Sequence, residues 1–144
     1  MNATASGQTY VVTERFHRAT ALIHRALNEW ELSVVCEFDA TRLYREDRGN
    51  KSEPSKILLV DSSLLAFEAQ ALDRAALVFF PLHVFVGADG DLTRVSVASS
   101  SDLFDSRLPL GVASPMEKLQ NRVSQALESV VAQSETDRMR EEGE

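Results

Sequence analysis

The sequence predicts an α+β fold: a two-layer sandwich in which a mixed or antiparallel sheet of four to five strands carries helices packed on one face. Three observations predict it. Apolar stripes at helical spacing alternate with short strand-like runs in the order β-α-β-(α)-β-α-β-β-α. The last two strands flank Asp89-Gly90, a strong hairpin signal, so at least one pair runs antiparallel. The run Ala75–Val86, "AALVFFPLHVFV", is apolar on both alternating faces, as expected of a strand buried on one side and covered by something on the other.

Met1–Gln8 is small and polar and reads as a flexible leader. Thr9–Val12 is β-branched and aromatic, a first strand. Thr13 is placed to cap the helix that follows. There Phe16, Ala19, Thr20, Ile23, Ala26, Leu27 and Trp30 form one face. Leu32, Val34, Cys36 and Phe38 alternate with Ser33, Val35, Glu37 and Asp39, which predicts a half-buried strand with Cys36 pointing inward. Asp39 is a candidate cap for a short helix over residues 40–46, and "DRGNKSEPS" at 47–55 reads as an exposed loop.

Lys56–Val60 is a continuous apolar strand. Asp61, Ser62 and Ser63 supply capping oxygens for a helix over 64–73 with Leu65, Ala69 and Leu72 inside. A strand over Leu77–Val86 follows, with Pro81 at a bulge or edge because it cannot donate to a ladder. Gly87–Gly90 turns the chain into a return strand over 91–98. Residues 99–113 cross irregularly to a last helix. Ser114 at its cap, Pro115 at the first helical position and Glu117 three after the cap make a capping box. Its stripe, Met116, Leu119, Val123, Ala126, Leu127, Val130 and Val131, ends near Gln133. Residues 134–144 read as a disordered acidic tail, leaving 9–133 as a single α/β domain.

Composition narrows the function classes. The 144 residues are 44% hydrophobic and 26% charged, the range of one ordinary domain. Fifteen basic against 22 acidic residues give a net charge of −7, which works against nucleic acid and anionic membrane as partners. The longest unbroken apolar run, "AALVFFPL", is far short of the ~20 residues a membrane helix needs. Met1–Thr9 lacks the basic-then-apolar pattern of a signal peptide, and one cysteine cannot form an internal bridge. Together they predict a reducing, cytoplasmic setting.

No sequence motif announces a reaction: a Gly-rich phosphate loop, Gly-x-Ser-x-Gly, Cys-x-x-Cys and His-Glu-x-x-His are all missing. No cofactor or metal is predicted. His17 and His24 stand two helical turns apart, about 10 Å, too far to share one zinc, and read as surface histidines. Cys36 reads as a small hydrophobe. His83 interrupts an apolar face and needs a partner if buried, with Asp39, Glu37 and Asp61 as candidates. Asp61-Ser62-Ser63 at a strand-to-helix junction offers free helix amides to a ligand, although Asp61 would repel an anion. The ligand-binding candidates are therefore Asp61, Ser62, Ser63, His83 and Asp39. The interface candidates are Phe79 and Phe85, on the far side of their strand. The last helix, the 99–113 crossing or a second subunit could cover those two rings.

Residues 56–86, "KILLVDSSLLAFEAQALDRAALVFFPLHVFV", resemble the domain of unknown function family 302. The family runs an apolar strand, a turn, a helix, a leucine-proline-leucine-type strand and a glycine hairpin. "RFHRATALIHRALNEWELSVVCEFDATR" upstream and "LFDSRLPLG…MEKLQNRVSQALESVV" downstream fit the same order, so the resemblance covers roughly residues 9–133. It implies a small α/β domain with dimeric relatives and no established biochemical role. Many relatives carry a Gly-Asn-Pro-like turn where this chain has Asp61-Ser62-Ser63, which implies that a ligand held there elsewhere is lost or altered here. The reading that follows is a non-catalytic, homodimeric binding or accessory domain. The alternative is a small-molecule sensor or enzyme built on Asp61–Ser63 and His83.

Overall fold

Main-chain pairing arranges the chain, in a computed structural model, around one antiparallel sheet; the structure describes residues 2–4, 7–41, 53–98 and 113–143. The strands are β1 (Asn2–Thr4), β2 (Gly7–Val12), β3 (Ser33–Asp39), β4 (Ser55–Asp61), β5 (Leu82–Asp89) and β6 (Leu92–Val97). The helices are α1 (Phe16–Glu29), α2 (Ser63–Leu72) and α3 (Ala113–Glu142), with a 3₁₀ helix over Arg74–Phe79. Among the described residues the sheet has six strands in the order β1-β2-β6-β5-β4-β3, every pair antiparallel. The expected α+β two-layer architecture holds. The expected helix beyond Thr41, the loop over 47–52 and the crossing over 99–112 lie outside the described residues.

Alternation explains the layering. Leu58 and Val60 on β4, Leu82, Val84 and Val86 on β5, Val95 and Val97 on β6, and Tyr10 and Val12 on β2 are buried against the helices. Their neighbours along each strand point to the opposite, open face. α1 contributes Phe16, Ala19, Leu22, Ile23, Ala26 and Leu27, and α3 contributes Met116, Leu119, Val123, Ala126, Leu127 and Val130, to one continuous core. The β5–β6 hairpin closes through the two-residue loop Gly90–Asp91. Gly90 takes φ +63°, a conformation that glycine adopts without strain.

Several elements depart from the sequence reading. Thr13 does not cap α1: Arg15 occupies that position without a side-chain bond, and Thr13 donates its N–H to Ser134 Oγ at 3.1 Å. Trp30 leaves the stripe to sit half-exposed at the α1 C-cap. Leu32 N–H donates to Leu27 O there, and Glu31 takes a left-handed φ of +59°. The Leu77–Val86 strand begins at Leu82, because residues 74–79 wind as 3₁₀ and Pro81, after a cis bond, directly precedes the strand. Gly87 to Asp89 belong to β5, so the turn is shorter than expected.

The two ends also differ. The expected leader contributes β1 and the start of β2, since strand pairing uses main-chain groups that any residue carries. The expected tail continues α3 to Glu142. Ser134 is buried and donates to Val131 O at 2.9 Å while accepting from Thr13, which ties the helix to the end of β2. Arg138 and Glu142, one turn apart at 3.2 Å, support the final turns. α3 begins at Ala113, one residue before the expected cap Ser114.

Two measurements check this packing. Leu127→Ala should cost about 2–5 kcal/mol in urea denaturation, since the leucine is enclosed between helix and sheet. Glu31→Gly should raise stability by about 1 kcal/mol by relieving the left-handed residue.

Candidate functional site

β3 departs most from simple alternation. Its ladder with β4 pairs Val34 with Val60 and then Cys36 with Leu59, which leaves Val35 as an extra residue. One inserted residue reverses every later side chain. Cys36 and Phe38 therefore turn to the open face, and Glu37 turns toward α1. This corrects the expectation of an inward Cys36: the thiol is exposed, and the strand is exposed along almost its whole length.

The same reversal assembles a charged cluster that the sequence did not signal. Glu37 Oε1 lies 3.1 Å from Lys56 Nζ and 3.5 Å from His24 Nε2. Burial raises the Glu37 carboxyl, but the Lys56 ammonium and then His24 outweigh it and hold the group below its usual range. A lowered carboxylate stabilises the fold above its unfolded value and loses that contribution as pH falls through the folded value. A groove of about 400 Å³ runs beside this cluster along the edge of β3, lined by His24, Asn28, Ser33 and Glu37 among others. A bulge is the one feature that would have revealed the cluster, and nothing in "SVVCEFD" marks where one falls.

The open face is ordered in rows by the strand register. Thr9, Ser96, Phe85, Ile57 and Phe38 form one row across five strands. His83, Leu59 and Cys36 form the next. Phe85 is 42% exposed and Phe38 46%, while Ile57 and Leu59 between and beside them are half-buried. The Phe85 ring lies over Gly87, where a Cβ would meet it at 2.8 Å. The glycine lets the ring lie down along its own strand. Phe79, expected beside Phe85, belongs instead to the 3₁₀ helix and packs half-buried against the core.

The ligand-binding candidates divide. Ser62 Oγ accepts from Leu65 N–H at 3.3 Å and caps α2, while Asp61 Oδ1 accepts from Ser62 N–H at 2.8 Å. Ser63 opens the helix, exposed. His83 is exposed opposite Leu59, so Asp61, two residues further along β4, is its diagonal neighbour on the same face. No hydrogen bond links the two. Asp39 stands at the other end of β3, where Oδ1 accepts from Thr41 N–H at 3.0 Å, roughly 17 Å along the sheet from Ser33 and Asp61.

Elsewhere, Tyr10 Oη donates to Gln8 Oε1 at 2.7 Å and bonds Ser124 Oγ between β2 and α3. A groove of about 480 Å³ flanks it, with Glu128 and Glu135 on its rim. Among the described residues no group of three or more His, Cys, Asp or Glu side chains is placed to hold a metal ion, and no helix is long and apolar enough to cross a membrane.

Two predictions follow from these placements. Cys36 should react stoichiometrically with a thiol reagent in native buffer at a protein concentration low enough to keep the chain single, at a rate that denaturant barely changes; a thiol protected in the single chain would contradict the bulge. Burial raises the Asp61 carboxyl, so its charge opposes folding, and that penalty grows as pH rises through the folded value. Asp61→Asn keeps the acceptor for Ser62 N–H. It should therefore melt above the native protein at pH 7, with the difference vanishing below about pH 4, the usual carboxylate range.

Comparison with known proteins addresses the fold and family. No curated protein matches the chain. The crystal structure of an uncharacterized conserved protein DUF302 from Bacillus stearothermophilus is similar, with a TM-score of 0.73 over 84% of this chain and 94% of that one. The two share 16% identity, so the likeness speaks to fold alone. The sequence pattern of the DUF302 family, a domain of unknown function, matches residues 8–133. With a family match across residues 8–133, most of its length, the chain belongs to the DUF302 family.

Proposed function

We propose that the chain is a non-catalytic binding or accessory domain that works in the cytoplasm as a homodimer, with the open faces of two sheets packed together. The observation that carries this reading is the row Phe85–Ile57–Phe38 with Leu59 beside it, apolar side chains on the one face that the described helices leave uncovered. Burying such side chains is worth several kcal/mol at about 25 cal/mol per Å² of apolar surface. The face carries little charge at its centre, so two copies of a chain with net charge −7 can meet there without strong repulsion. The Phe85 ring lying over Gly87 keeps the face level. The one cysteine, Cys36, is free, in keeping with a reducing compartment.

Asp61 and His83, diagonal neighbours on the same face, favour a second reading in which a small polar molecule bridges them. That reading expects a metabolite-dependent rise in melting temperature that His83→Ala abolishes.

Sedimentation equilibrium separates the two. Self-association expects the mass of more than one chain for the native protein, and a fall in mass for Phe85→Glu at unchanged far-ultraviolet circular dichroism. A native protein that stays a single chain at millimolar concentration would remove the dimer.

A further inference from the structure

β1 pairs only with Gly7–Thr9. Along Tyr10–Val12, therefore, β2 has β6 on one side and, among the described residues, no strand on the other. An open edge presents main-chain N–H and C=O groups to any extended chain laid beside it. α3 runs alongside this edge: Tyr10 Oη bonds Ser124 Oγ, and Thr13 N–H donates to Ser134 Oγ at 3.1 Å. Between edge and helix lies the groove of about 480 Å³, lined by Tyr10 and Val11 from the strand and by Glu128, Val131, Ala132 and Glu135 from the helix. Val131 and Ala132 form an apolar floor between two exposed carboxylates, which stand about 10 Å apart, two turns along α3. On the same helix Asp137 is met by Arg18 at 3.8 Å, whereas Glu128 and Glu135 meet no cation among the described residues.

We infer that this groove binds an extended, basic peptide segment of another protein, which adds to β2 as a further strand. The edge selects the extended chain. Its three residues, Tyr10–Val12, span about 10 Å at ~3.4 Å per residue, the same length as the carboxylate pair beside them. The carboxylates select the base. Alternation puts every second side chain of an added strand on the helix side. There lysine or arginine stems rest on Val131 and Ala132 while their heads reach Glu128 and Glu135. Charge argues against a second copy in this place. The chain's own edge strands, "NAT", "GQTYVV" and "SVVCEFD", hold no lysine or arginine. The net charge of −7 draws a basic segment in and repels another copy. The opposite edge of the sheet is less suited, because the extra residue at Val35 interrupts the regular ladder of β3.

The test is fluorescence anisotropy of a labelled Ac-Lys-Val-Lys-Val-Lys-amide titrated with the full-length protein at low salt. The inference expects saturable, one-to-one binding. Glu128→Gln/Glu135→Gln, with native circular dichroism, should weaken it about tenfold through the loss of two exposed ion pairs. Two further peptides keep the charge and are N-methylated, one on the valine amides and one on the lysine amides. At least one of them should fail to bind, since alternate N–H groups of an added strand face β2. No saturable binding overturns the inference. So does equal affinity for Ac-Glu-Val-Glu-Val-Glu-amide, or native affinity in the glutamine variant. Native affinity for both methylated peptides overturns it too, since charge alone would then hold the probe. Phe85→Glu separates this site from the sheet-face dimer and should leave the affinity unchanged. A loss with that variant and not with the glutamine variant would seat the peptide on the open sheet face and overturn the inference.

Discussion

The structure depends on one constraint: a six-stranded antiparallel sheet has two faces, and the described helices cover one of them. Leu58, Val60, Val84, Val86 and Val95 are sealed beneath α1 and α3, and that packing supplies the core. Because side chains alternate along a strand, Ile57, Leu59 and Phe85 are fixed on the opposite face by the same register. Sequence positions one residue apart thus meet different environments. Both faces of the sheet therefore carry apolar side chains.

The extra residue at Val35 modifies that constraint at the sheet edge. Past it, the side chains of β3 exchange faces, so Phe38 joins the open row and Glu37 joins Lys56 and His24. The bulge also bends and twists the edge, which discourages indiscriminate strand addition along β3. A small irregularity therefore serves two ends: it enlarges the apolar open face by one aromatic ring and places a balanced charge cluster on the helix side.

The helical layer shows a comparable economy. α3 is held by its apolar stripe and by the Ser134–Thr13 contact, which lets thirty residues run as one helix and brace α1 through Arg18 and Asp137, 3.8 Å apart. α2 is short, capped by Ser62, and inserts only Leu65 and Ala69 into the core, so its other apolar residues stand outward. Apolar side chains thus stand outward in both layers of the described residues, on α2 and on the open sheet face.

By itself the sequence determined the α+β class, the succession of the longer strands and helices from β2 to α3, the buried stripes of α1 and α3, the β5–β6 hairpin and the outward placement of His83 and Phe85. Each of these rests on local periodicity or on turn and capping chemistry, which act over a few neighbouring residues. The Ser62 cap was legible for the same reason. Tertiary structure alone decided that Cys36 and Phe38 face outward, that Glu37 meets Lys56 and His24, that Phe79 leaves the strand, and that the last turns of α3 are helical. Those outcomes depend on strand register and on contacts between residues far apart, such as Thr13 with Ser134. Local pattern carries no record of which distant group will supply the missing hydrogen bond or charge.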